Sequence, residues 1–223
     1  MLANVLQWIG AAGRGLAPNR DWMVINLVLA AVPLVLSVVL FRRSARRPPL
    51  WWLGVAGFVV FLPNAPYVLT DVTHLIEQIE SRDYSAPVVA LVLLPVYTLV
   101  ILLAFEAYVV SLLNVGHYLR AIGHARLVPL AEIVLHGAGA VGIYLGRFER
   151  FNSWAVVTRL DNLAGTIIDS TLARRPLALI AVTFVVLVVL YWIAKWLTLA
   201  VASYRPRWLS PLGRWREQRQ ERR

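Results

Sequence analysis

Apolar residues run along this chain in five long blocks, separated by short stretches rich in arginine, acids and proline. A helix that crosses a bilayer needs about 20 mostly apolar residues. The blocks meet that length: near Met23 to Phe41, Leu50 to about Leu69, Pro87 to Leu113, Leu127 to about Gly146, and Pro176 to about Ala200. The pattern predicts an all-α, polytopic helical membrane protein with five transmembrane helices. No repeat, low-complexity run or long linker divides it, so residues 1–223 form a single integral membrane domain.

The second block is irregular. FLPNAPYVLTD, Phe61 to Asp71, sets Pro63, Asn64 and Pro66 inside an otherwise spanning run. Each proline removes a backbone donor, which leaves the carbonyls of Val59 and Leu62 without their usual partners, and Pro66 biases Ala65 away from helical angles. Such a break inside hydrocarbon is tolerated where protein buries it or where it lines a watery cavity, and the Asn64 amide can donate locally. Beyond it, Tyr67, Asp71, His74 and Gln78 recur at helical spacing opposite Leu69, Val72, Ile76 and Ile79. Two readings stand: an amphipathic half-helix lying at the interface, or an outer pocket in which Asp71 and His74 form an acid/base dyad. A metal is not expected, because only these two ligands are local.

GRFERFNSW, Gly146 to Trp154, closes the fourth block. The second and fourth spans run in the same direction, so this stretch emerges on the same face as the first. Arg147 and Arg150, three apart, can converge on one anion through their guanidinium forks. Asn152 or Ser153 can cap a following helix, and Trp154 can sit at headgroup level. Equally, the arginines can bind lipid phosphates or pair with Asp71, Glu149 or Asp161. Within the fourth span Ala138, Gly142 and Gly146 repeat every four residues, the small-residue pattern that lets helices approach closely. Glu132 and His136 extend a polar stripe up the same helix, with Glu106 of the third span at similar depth. Intramembrane ionisable residues suggest function by default; a proton relay and a neutral structural cluster both fit.

Composition agrees with the pattern: 59% hydrophobic residues, 15% charged and a mean hydropathy of +0.66, where soluble domains carry about 25% charged residues. The net charge of +10 does not indicate nucleic acid, because the arginines cluster between spans, where the positive-inside rule accounts for them. Arg42, Arg43, Arg46 and Arg47 follow the first span, and the tail from 204 to 223 is strongly basic, so both are assigned to the cytoplasm and the N-terminus to the outside. The connection from Thr70 to Ala86 is acidic and fits the outer side. Arg147, Arg150, Arg159, Arg174 and Arg175 oppose the rule there and need another reason. Residues 1–22 suit an interfacial helix better than a signal peptide. Trp192, Trp196 and Lys195 look like interfacial anchors, the lysine snorkelling. Cysteine is absent, which excludes disulfides and thiolate sites.

LPNAPYVLTDVTHL together with GRFERFNSW resembles the bacterial integral membrane family catalogued as domain of unknown function 1361, over most of the chain from the first span to the fifth. The resemblance implies a small multi-span inner-membrane protein of unassigned activity. Its pattern carries over to Pro63, Asn64, Pro66, Tyr67, Asp71 and His74, and to Gly146, Arg147, Arg150, Asn152, Ser153 and Trp154. This chain departs from it at Ala155, where the family commonly has an acid, and at Val96, Tyr97 and Thr98, where a WYD-like element is common. As an enzyme, the protein would hold an anionic lipid headgroup or lipid-linked phosphate on Arg147 and Arg150, move protons with Asp71 and His74, and orient the substrate with Asn64. As a transporter it would add Glu106, Glu132 and His136 and, with so few spans, would form a homo-oligomer. As an envelope assembly factor it would rest on its basic tail. No cofactor is expected, and membrane lipids are the expected partners.

Overall fold

The computed structural model describes residue 13 and residues 20–43, 47–81, 83–148 and 174–203. The expected interfacial helix of 1–22 and the basic tail of 204–223 lie almost wholly outside these residues, as do Arg150, Asn152, Ser153 and Trp154. Helix α1 is Arg20–Val38, continued by a π-helical turn Val39–Arg43. The second span is built from α2 (Pro49–Phe61), a short α3 (Asn64–Tyr67), a 3₁₀ turn Val68–Asp71 and α4 (Val72–Glu80). The third has a helical turn α5 (Ala86–Val88), a π turn Val89–Leu93 and the long α6 (Leu94–Ala121). A 3₁₀ turn Ala125–Leu127 leads into α7 (Val128–Phe148), and α8 is Arg174–Ser203. Five helical stretches are long and apolar enough to cross a membrane, Arg20–Arg43, Pro49–Glu80, Ala86–Ala121, Ala125–Phe148 and Arg175–Ser203, in agreement with the five apolar blocks.

Prolines mark most of the starts. Pro49, Pro87, Pro129 and Pro176 each fall within the first three residues of a helical segment, where the missing N–H would have no partner in any case; Pro95 instead lies within the third span, just after its π turn. The turn between the third and fourth spans is set by Gly123, at φ 83°. Its N–H bonds the Arg120 carbonyl, and the His124 N–H reaches back to Leu119, the paired bonds that close a helix through a left-handed residue.

The first span packs mainly on the third, the fifth mainly on the fourth, and the second lies against the first. Phe58, Leu62, Tyr108, Leu112, Leu187 and Tyr191 are central in the shared core. The outward faces expose Leu91, Leu102, Val182, Val185 and Ile193, as expected of helices whose solvent is lipid rather than water.

The interruption in the second span is narrower than an open break. The Leu62 N–H still bonds Phe58, Ala65 donates to the Leu62 carbonyl at 3.3 Å, and Tyr67 donates to Pro63. Because Ala65 has shifted to Leu62, the Phe61 carbonyl is left over; the Asn64 side-chain amide donates to it at 3.0 Å. A short-range bond thus serves the Leu62 carbonyl that Pro66 would strand, and one side chain serves the Phe61 carbonyl that the shift leaves over. On its outer flank the Pro63 ring lies against α7 at Gly142. A Cβ added to Gly142 would sit 2.4 Å from the Pro63 Cβ and 2.5 Å from its Cγ. The glycine is needed for this close approach, as the small-residue repeat suggested.

A Gly142→Ala substitution must push a ring that is part of the backbone, and overpacking of this kind costs about 1–3 kcal/mol. At Gly137 an added Cβ meets nothing within 4 Å, so Gly137→Ala should be neutral or stabilising by up to about 1 kcal/mol from helix propensity. Unfolding of the two variants in detergent, followed by circular dichroism, checks the contrast.

Candidate functional site

The tightened turn decides which side chains enter the bundle. In a continuous α-helix Tyr67, Asp71, His74 and Gln78 share one face. A 3₁₀ turn instead eclipses residues three apart, and so Val68 and Asp71 point inward together, at 0% and 2% exposure. The Asp71 carboxylate accepts a hydrogen bond from Asn26 Nδ2 of α1 at 2.9 Å. A buried carboxylate needs such donors because its desolvation is otherwise uncompensated. Asn26 was not apparent as a site residue from the sequence, although a lone amide inside the first apolar block is the signal that could have found it.

His74, three residues on, turns toward the same helix, α1. Its Nδ1 lies 3.3 Å from Glu77 Oε2, and its ring sits 4.8 Å from that of Trp22. Trp22 in turn lies 6.0 Å from Tyr97, whose hydroxyl donates to Gln78 Oε1 at 3.1 Å. Asp71 and His74 thus lie side by side against α1, at Asn26 and Trp22, while their hydrogen bonds go to different partners, Asn26 and Glu77. Tyr97 comes from the Val96 to Thr98 stretch where the family pattern departs, and it closes the wall behind Gln78.

Arg147, at the end of α7, donates from an Nη to Thr73 Oγ1, whose own hydroxyl bonds the Thr70 carbonyl at 3.0 Å. Asp71 lies within electrostatic reach of both Arg147 and His74. The ends of the second and fourth spans are therefore in contact, with a guanidinium, an imidazole and two carboxylates grouped around one turn. Tyr67 is half-buried and packs on the core, and Asn64 serves the Phe61 carbonyl.

A second polar group lies deeper. Glu132 Oε1 accepts from Tyr191 Oη at 2.8 Å and from Lys195 Nζ. Side-chain exposures of 17% for Lys195 and 14% for Glu132 mean that the lysine does not simply snorkel to the membrane surface. It turns into the bundle and neutralises the glutamate, because in hydrocarbon an unpaired carboxylate costs more than the stem's reorientation. His136 Nδ1 and Tyr108 Oη are 2.7 Å apart, and the His136 ring stands edge-on to Tyr191 at 4.6 Å. Glu106 accepts from Thr198 Oγ1 at 2.8 Å. The sequence indicated Glu106, Glu132 and His136; the structure adds Tyr108, Tyr191, Lys195 and Thr198. Between this group and Arg147, α7 presents Gly139 to Leu187 and Gly142 to Pro63.

Residues 25–189 match the family described as "Protein of unknown function (DUF1361)". The chain belongs to this family. Comparison with curated proteins and with solved structures finds no match. The matched region of this DUF1361 protein contains every described member of the Arg147 group except Trp22, and it stops short of Lys195.

Replacing Lys195 by Met should lower stability by about 3 kcal/mol, since it strands a buried carboxylate. Glu132→Gln combined with Lys195→Met should recover most of that loss, which a double-mutant cycle on detergent-solubilised protein measures.

Proposed function

We propose that this multi-span membrane protein acts on an anionic lipid headgroup or a lipid-linked phosphate at the Arg147 end of the bundle. The observation that supports this reading is the Arg147 guanidinium held on Thr73 beside His74. One donor of the guanidinium is engaged by Thr73, and a guanidinium has five donors in a planar fork suited to phosphate or carboxylate oxygens. His74 is oriented by Glu77 and Trp22 and is half-exposed, the arrangement of a general base or acid steadied by a third group. In this scheme Arg147 holds the anion while His74 takes the proton of a hydroxyl or water that attacks the phosphorus, then returns it to the alcohol oxygen that leaves as its P–O bond breaks. Asp71 is the inward anchor: its charge balances Arg147, and its bond to Asn26 fixes the turn that presents Thr73 and His74.

We further infer that this end faces away from the cytoplasm of a bacterial inner membrane. The support is the distribution of arginines: Arg42, Arg43, Arg47, Arg120 and Arg126 flank the spans at the other end, as the positive-inside rule favours, while of the arginines at this end Arg20 is paired with Asp21 and Arg147 is held on Thr73.

The test is mass spectrometry of lipid extracts from cells expressing the wild-type chain, His74→Gln or Arg147→Gln at matched membrane levels. The wild type should change the population of an anionic or phosphate-linked lipid. Loss of a general base lowers such a conversion by roughly 10² or more, so both variants should leave the extract as in cells without the protein. An Arg147→Gln extract identical to the wild-type extract would contradict the proposal.

A further inference from the structure

Among the described residues, the span ends opposite Arg147 carry arginines and no acids. Arg42 and Arg43 close the first span, Arg47 precedes α2, Arg120 ends α6 and Arg126 lies in the following turn. Among the described residues, the ion pairs are Arg20 with Asp21, His74 with Glu77, and Lys195 with Glu132, so none of these five arginines faces a carboxylate. Two of them are held in fixed positions. Arg42 Nε donates to Asn114 Oδ1 at 2.7 Å, and Asn114 Nδ2 donates to Ser37 Oγ at 2.9 Å. Ser37 and Asn114 are 0% and 3% exposed; this buried pair aims the guanidinium. Arg47 lies over the Tyr118 ring, 5.3 Å from its centroid, and that ring packs on Phe41 and Trp51. Trp51 is fixed in turn by its Nε1 bond to the Leu40 carbonyl at 3.1 Å.

Asn114 and Tyr118 are four residues apart on α6, so both arginines are seated on one helical face about 6 Å apart along its axis. The depth is right for headgroups. The third span has 36 residues and would rise about 54 Å against a hydrocarbon core of about 30 Å, so its last turns lie beyond the hydrocarbon. Exposed Leu50, Trp52 and Leu53 border the same end, an apolar surface for acyl chains next to the cationic seat.

We propose that Arg42 and Arg47, seated on Asn114 and Tyr118, bind the phosphate of an anionic phospholipid in the leaflet at this end. Two guanidinium groups without acidic partners among the described residues supply the charge, and the aromatic cluster beneath Arg47 fixes its geometry. A basic pocket between span ends is the arrangement that holds anionic headgroups. The site is separate from the Arg147 group and does not depend on the activity proposed there.

The experiment is native mass spectrometry of the full chain in a neutral detergent, titrated with phosphatidylglycerol, phosphatidylcholine or inorganic phosphate. Phosphatidylglycerol adducts should persist where phosphatidylcholine adducts are lost, and inorganic phosphate should not displace them. With about one factor of five per arginine, Arg42→Gln with Arg47→Gln should weaken retention roughly thirty-fold, and Arg126→Gln should leave most of it. If the double variant does not give folded protein, Arg47→Gln alone, which leaves the Asn114 bond intact, should weaken retention roughly five-fold. Equal retention of the two lipids, displacement by inorganic phosphate, or unchanged retention in the arginine variants would overturn the proposal.

Discussion

The contact between the Pro63 ring and Gly142 sets the relation of the second span to the fourth, and the Arg147 group depends on it. Pro63 stands where the second span changes from α-helix to tightened turns, and a side chain at 142 would hold the two backbones apart. From Pro63 to Thr73 is ten residues and from Gly142 to Arg147 is five. At 1.5 Å per residue the two sites would differ in height by about 7 Å, a gap that a long guanidinium side chain reaching from α7 can cover. Wider spacing of the helices would move Arg147 from Thr73 and from the neighbourhood of Asp71. The apolar contact thus positions the polar one.

The deeper group works on a different principle. Glu132, Lys195, Tyr191, His136 and Tyr108 join the third, fourth and fifth spans, and Glu106 with Thr198 adds a second polar tie between the third and fifth. In lipid there is no hydrophobic force between apolar helices, so packing, small residues and buried polar contacts determine how they associate. The fifth span, whose faces carry many exposed valines and leucines, draws its fixed register from Tyr191, Lys195 and Thr198. Tight glycine contacts with Leu187 and Pro63 fill α7 between this group and Arg147, so the interior of the bundle holds its spans together.

Much of the architecture was legible in the sequence because it follows from composition over long windows. Five apolar blocks, prolines at helix starts and a four-residue small-side-chain repeat are local signals, and the first family motif falls on the second span while the described part of the other, Gly146 to Phe148, ends the fourth. Partner choice was less legible. The sequence pattern put Asp71 and His74 on one helical face, and both lie against α1, at Asn26 and Trp22; those partners belong to another helix and follow only from how the helices pack. Lys195 near a span end resembled a snorkelling anchor, and its turn toward Glu132 follows only when the two helices are adjacent. Tyr108 and Tyr191 are hydrophobic by residue type, and their hydroxyls became significant only with His136 and Glu132 beside them.

The central claim, that the broken second span and the end of the fourth form one site away from the cytoplasm, is most directly tested by cross-linking. The chain has no cysteine, so Thr73→Cys with Arg147→Cys gives one defined pair. A short, membrane-impermeant bifunctional thiol reagent applied to intact cells should join the two cysteines within one chain, and single-cysteine controls should take up only one arm. Failure of the pair to cross-link while both positions are labelled would contradict the contact, and labelling only after the cells are opened would contradict the assigned side.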